Sequence, residues 1–144
     1  MRQGLCFLFL FLSCACVQAA QPQVCHDHDC VSVEVVSKQV DMERGLMYRT
    51  GLAPKAGMLF IFASEGRQSF WMQNMRFNLD ILWIDSRRRI VYIGRGIPAC
   101  RTDSCPVYTP DEPARYVLEV NSGFSDAHHW KEGDKLIFND ILKK

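Results

Sequence analysis

The sequence predicts a mainly β fold: a single-domain antiparallel sandwich or barrel of about seven strands, with two short helices. Three observations carry that expectation. Short runs of four to eight residues alternate apolar with polar side chains or are apolar throughout. Turn signals built on Gly, Asn, Asp and Ser recur about every ten residues. The 144 residues leave room for one domain with a real core and not for two.

The first segment stands apart from that domain. Arg2 supplies a positive start, residues 5–12 (LCFLFLFL) are apolar but too short to span a bilayer, and Val17 and Ala19 place small residues where a signal peptidase reads. Residues 1–19 are therefore expected to be a signal peptide, cleaved after Ala19. Cys14 and Cys16, each behind a small residue, leave a lipoprotein signal as the second reading. The mature chain is thus expected in the periplasm or outside the cell, with no integral membrane segment.

Residues 20–30 are polar, contain Pro22 and lack a period, and read as an extended arm. The β domain is expected over 31–144, opening with the half-buried alternation VSVEVV at 31–36. Asp41 is placed to cap a short helix with Met42, Leu46 and Met47 on one face, Gly45 inside it and Gly51 at its end. The run at 58–62, MLFIF, is apolar on both sides, as in a strand covered on both faces. Glu65 and Gly66 suggest a turn, with 68–72 returning as the partner strand. A second hairpin is expected from 79–85 and 90–93 through the link at 86–88. Residues 97–113 carry four prolines and two cysteines without a period, and so predict a long loop, a feature disproportionately tied to function. A strand at 114–120, a short helix around 124–130 and a last strand at 135–138 complete the order.

Composition limits the partners. Signal cleavage removes Arg2 from the 17 basic side chains and none of the 16 acidic ones, leaving equal numbers. Apart from Arg87, Arg88 and Arg89 at a turn there is no basic stripe, so no nucleic-acid partner is expected. Of the seven cysteines, Cys25, Cys30, Cys100 and Cys105 remain in the mature chain. Four cysteines permit three connectivities, and spacing favours the two local pairs, Cys25 with Cys30 and Cys100 with Cys105.

The segments ERGLMYRTGLAPKAGMLFIF, FWMQNMRFNLDILWID, PARYVLEVNSGF and EGDKL, together with the C-x4-C loop ending in Pro106, resemble the domain of unknown function 192 family (uncharacterised protein family 0127). The resemblance covers nearly all of the mature chain. It implies a compact, mainly β domain, often exported, with no established enzymatic activity. The chain departs from the family pattern at three places: Gln73 where a Lys is usual, Met75 for Thr and Asn78 for Pro. Gln73 cannot replace a lysine's charge, so an anionic ligand shared with the family is in doubt.

The residues most suggestive of a site are Trp71, Gln73, Asn74 and Asp80, with Tyr108 on the long loop. An indole wall beside amides and a carboxylate suits a small polar or sugar-like ligand. The plainer reading has Asn74 and Asp80 bonding backbone in their own turn and Trp71 buried. Residues 25–30 (CHDHDC), with His128 and His129, hold metal-ligand types, but the spacing matches no metal motif and no metal is expected. No cofactor loop, metalloprotease or nucleophile-elbow motif is present, so no catalytic residue is assigned. The first functional expectation is a monomeric, non-catalytic binding module of the cell envelope. The alternatives are an envelope-acting hydrolase using Asp80 and a structural interaction module.

Overall fold

A computed structural model describes residues 20–141, and the expected signal peptide lies outside them. In chain order the elements are β1 (Gln23–His26), β2 (Asp29–Val36), α1 (Gln39–Arg44), β3 (Ala56–Gly66), β4 (Phe70–Trp71), β5 (Leu79–Ile84), β6 (Ile90–Ile97), β7 (Val107–Tyr108), β8 (Ala114–Asn121), α2 (Phe124–Ala127) and β9 (Ile137–Asn139). The fold is mainly β. Seven strands make one curled sheet, a half-barrel, in the order β6-β5-β8-β3-β2-β1-β9, and β4 and β7 form a separate ribbon.

Side-chain alternation along the central strands divides the core between the two faces of this sheet. Leu59, Leu82, Ile84, Leu118 and Val120 point to one face, where Phe124 of α2, Trp130 and Phe138 cover them. Met58, Phe60, Ile81, Trp83 and Val117 point to the other, where Leu46, Met72 and Met75 meet them. Because both faces are covered, all six residues of β5 are buried, and the run reads as continuously apolar except for Asp80.

Four local expectations are corrected by the pairing. Residues 68–72 do not return along β3; that strand runs on for 11 residues, and Phe70 and Trp71 pair instead with Tyr108 and Val107. The stretch expected as an arm is largely strand: β1 pairs with β2 on one side and with β9 on the other, and Val24 and Cys25 are buried. One neighbouring pair, β2–β3, is parallel, because the chain crosses over through α1 between them. Finally, α1 stops before Gly45, which takes the positive φ of +47° that side chains rarely adopt, and Asp41 lies within the first turn instead of capping it.

The two cysteine pairs are local. Cys25 and Cys30 face each other across the β1–β2 hairpin, and their sulfurs lie 2.09 Å apart. Cys100 and Cys105, at 2.05 Å, close the start of the loop that leads to β7.

Candidate functional site

The residues singled out from the sequence do not converge on one surface. Asp80 is fully buried and accepts three backbone N–H bonds: Oδ1 from Gly96 (2.8 Å) and Gly123 (3.1 Å), and Oδ2 from Ser125 (2.9 Å). Gly123 precedes α2 and has no side chain to cap it, so Asp80 supplies the acceptor from the neighbouring strand. The carboxylate thus fixes the ends of β6 and α2 to β5. Asn74 has φ +60°, and its carbonyl accepts the Tyr48 N–H at 3.0 Å. Its side chain lines a separate hollow with Tyr48, Arg76 and Arg101. Gln73 bridges to Cys100 through the backbone, and Tyr108 is half-buried beside Phe70 in the ribbon.

Trp71 does border a concavity. It is 48% exposed, whereas Trp83 and Trp130, the other two tryptophans, are buried. Its groove holds about 300 Å³ between α1 and the sheet: Gln39, Met42 and Glu43 form one side, and Phe60, Phe62 and Phe70 the floor. The aromatic floor is ordered by edge-to-face contacts, Phe60 to Phe70 at 4.9 Å and Phe70 to Trp83 at 5.8 Å between ring centroids. No residue of the 97–113 loop lines this groove, although Cys100 and Tyr108 pack on the same face of the sheet; α1 supplies its other side. No residue of α1 is fully buried, and the helix meets the core on this face through the partly buried Met42.

Beneath α1 the groove adjoins a recess of about 30 Å³, which shares Met42, Phe60, Phe70 and Trp71 with it and also meets Glu119. Sequence reasoning missed Glu119. It sits on β8 between Met58 of β3 and Ile81 of β5, 5% exposed, and its Oε2 has no hydrogen-bond partner. Burial pushes its carboxyl up to about 8, against the opposing pull of the Arg49 guanidinium. Arg49 is itself taken by Glu34 in a two-pronged ion pair, which raises the Arg49 pKa and lowers that of Glu34. The signal was present as a glutamate inside an apolar strand. Alternation along 114–120 sets Glu119 on one face with Arg115 and Val117, and the pattern alone does not show that this face is covered.

A second polar constellation gathers all four histidines. His26, His28, His128 and His129 line a hollow with Asp27, Asp29 and Asp134. The contacts are pairings: His128 with Asp29, and His26 with Asp27 and Asp134, both at 3.4 Å. Burial works to raise the Asp29 carboxyl, but Lys55 and His128 outweigh it and hold it below the usual range. Among the described residues, no three His, Cys, Asp or Glu side chains are grouped to hold a metal ion. No described helix is long and apolar enough to cross a membrane.

Comparison with known proteins places this architecture. A protein of unknown function from Novosphingobium aromaticivorans has the same fold, with a TM-score of 0.71 and 28% identity over 81% of this chain and 82% of that one. A candidate transcription regulator from Sinorhizobium meliloti gives a TM-score of 0.73 at 30% identity, over 81% and 91%. A protein of uncharacterised protein family 0127 from Thermococcus gammatolerans is 31% identical over 130 residues, 89% of this chain and 76% of the relative. The model of the DUF192 family, described as uncharacterized ACR, matches residues 22–138, and with them the whole sheet up to Phe138 of its last strand. On that match the chain belongs to the DUF192 family.

Proposed function

We propose that this chain is a non-catalytic, exported ligand-binding module whose ligand lies in the groove between α1 and Trp71. The observation that carries the reading is the half-exposed indole of Trp71 standing over a floor of three phenylalanines in a concave site. An exposed large aromatic beside a recess is costly to leave in water and is the usual wall of a small-molecule site. The signal-like residues 1–19 and two local disulfides agree with a protein that works outside the cytoplasm.

The alternatives draw less support. Hydrolysis through Asp80 requires a carboxylate free to exchange protons with a substrate, and both oxygens of Asp80 are engaged by backbone amides. Glycoside chemistry also ordinarily needs a second carboxyl at a set distance. A flat interaction patch fits a concave, partly enclosed wall less well than a pocket does. A regulatory role like the one given to the Sinorhizobium relative would require a nucleic-acid surface, and the charge balance supplies no basic stripe.

Tryptophan fluorescence tests the proposal directly, because only Trp71 is exposed to quenchers and ligands. Titration with envelope sugars, small polar metabolites and small aromatic compounds is expected to give a saturable change for at least one class, lost in Trp71→Ala. Circular dichroism of the variant establishes that it is folded. No response from any class, with the wild type folded, overturns the reading.

A further inference from the structure

We propose that the groove takes an amphiphilic organic cation, an aromatic or aliphatic body bearing a primary ammonium, and that Glu119 is the counter-ion receiving the ammonium in the recess below α1. The inference rests on the groove being a ligand site and goes on to say what fills it.

Three features select this chemistry. The first is shape: the apolar groove of about 300 Å³ leads to a recess of about 30 Å³, enough for one water-sized head group. The second is the lining. Phe60, Phe70 and Trp71 offer aromatic surface and Met42 and Met75 polarisable sulfur, all of which accommodate a cation better than an anion. The third is Glu119 itself, a carboxyl on the recess whose Oε2 is buried and has no hydrogen-bond partner. Buried polar atoms in a folded protein normally have partners, and an unpaired one on a recess is the position an incoming donor would fill.

The surrounding charges do not compete for that position. Arg49, which faces Glu119 from the segment after α1, is neutralised by its ion pair with Glu34 of β2. Glu43 and Arg44 of α1 line the same recess with opposite charges. The residues opposite Glu119 on the adjoining strands, Met58 and Ile81, are uncharged. Without ligand at neutral pH the carboxyl keeps its proton, in line with its raised pKa of about 8. When the ammonium enters, the Glu119 O–H bond breaks, the proton leaves to solvent, and the ligand keeps all of its own N–H bonds. The net charge of the recess rises by none, since one cation replaces one proton.

The test compares 2-phenylethylamine with 2-phenylethanol, which share a body and differ in the charged head, by titration calorimetry on the mature chain with both disulfides formed. The ammonium is expected to bind at least tenfold more tightly than the alcohol. In two buffers of different ionisation enthalpy, its binding is expected to release close to one proton per ligand at pH 7. Its affinity is expected to rise roughly tenfold per pH unit up to about pH 8 and then level off. Glu119→Gln keeps the shape of the side chain; it should abolish proton release and bring the ammonium down to the alcohol's affinity, leaving the alcohol unchanged. Equal binding of amine and alcohol without proton release would overturn the cation assignment while the groove reading stood. Failure of both compounds, together with a Trp71 fluorescence that responds to no ligand class, would remove the groove reading and this inference with it.

Discussion

Two buried carboxyls, Asp80 and Glu119, lie on adjacent strands and on opposite faces of the same sheet, and their surroundings could hardly differ more. Asp80 faces the side covered by α2, where three backbone amides converge on its oxygens within 3.1 Å. Glu119 faces the side covered by α1, where its Oε2 meets no donor. Burying a carboxylate is tolerated when N–H groups replace its water, and without them the carboxyl keeps its proton. The first acid therefore belongs to the architecture, joining β5 to β6 and α2. The second lies under a lightly packed helix beside an exposed indole, and its unmet hydrogen bond is available to a ligand.

Removing Asp80 should have the largest effect. Asp80→Ala takes the acceptor from the amides of Gly96, Gly123 and the fully buried Ser125, and a loss of roughly 2–4 kcal/mol is expected in urea unfolding. Asp80→Asn keeps one carbonyl oxygen for two of the three amides and should fall between wild type and Ala. A loss below about 1 kcal/mol in Asp80→Ala would mean that the amides find other acceptors, and the contrast between the two acids would collapse.

Glu119→Gln should act in the opposite direction and depend on pH. The Glu119 carboxyl titrates near 4.5 in the unfolded chain and near 8 in the fold, so between these values the unfolded state sheds a proton that the folded state retains. This group's contribution is thus complete below about 4.5 and is lost as pH rises towards 8, a change on the order of 4 kcal/mol. Asp29 and Glu34, both held below the usual range, contribute in the opposite sense but at lower pH, so the useful window is pH 6–8. Across it the wild type should lose stability as pH rises and Glu119→Gln should change little, ending more stable than wild type at pH 8. Parallel slopes for the two proteins would show that Glu119 is ionised in the fold.

These two acids also mark how far the sequence could be read. Alternation located β2 and β8, and two apolar runs joined by the 86–88 link located the β5–β6 hairpin, because each is a local pattern. The partner of β4 was missed because Phe70 and Trp71 pair with residues 36 to 38 positions further on, and the Glu65–Gly66 turn offered a nearer but false partner. Asp80 was rightly suspected of bonding backbone, yet its amides lie 16 to 45 residues away and not in the adjacent turn. The side chain that does bond a nearby loop is Asn78, whose Oδ1 accepts the Ala99 N–H at 3.0 Å. Glu119 was not singled out, because alternation puts it in phase with both Arg115 and Val117 and so does not say whether that face is covered. Only the position of β8 between β3 and β5 reveals that this face is also covered. Trp71 was read as a wall beside amides, but its neighbours across the groove come from α1, whose docking leaves no trace in the 70–80 segment.

The smallest effect expected concerns α1 and bears on whether the Glu119 side is covered as described. Gly45 ends the helix at φ +47°, and a Cβ there would lie 3.4 Å from Cζ of Phe60. Gly45→Ala therefore imposes an unfavourable backbone conformation, its Cβ meeting the groove floor only at ordinary contact distance, and a cost of about 1–2 kcal/mol is expected. Part of that cost should be relieved locally, by α1 shifting off the sheet, because the helix has no fully buried side chain to hold it. Amide hydrogen exchange should then speed up across α1 and remain unchanged in β5 and β8, and quenching of Trp71 by iodide should increase. Uniform acceleration across the sheet would instead mean that α1 is integral to the core, and the two faces would be equally architectural.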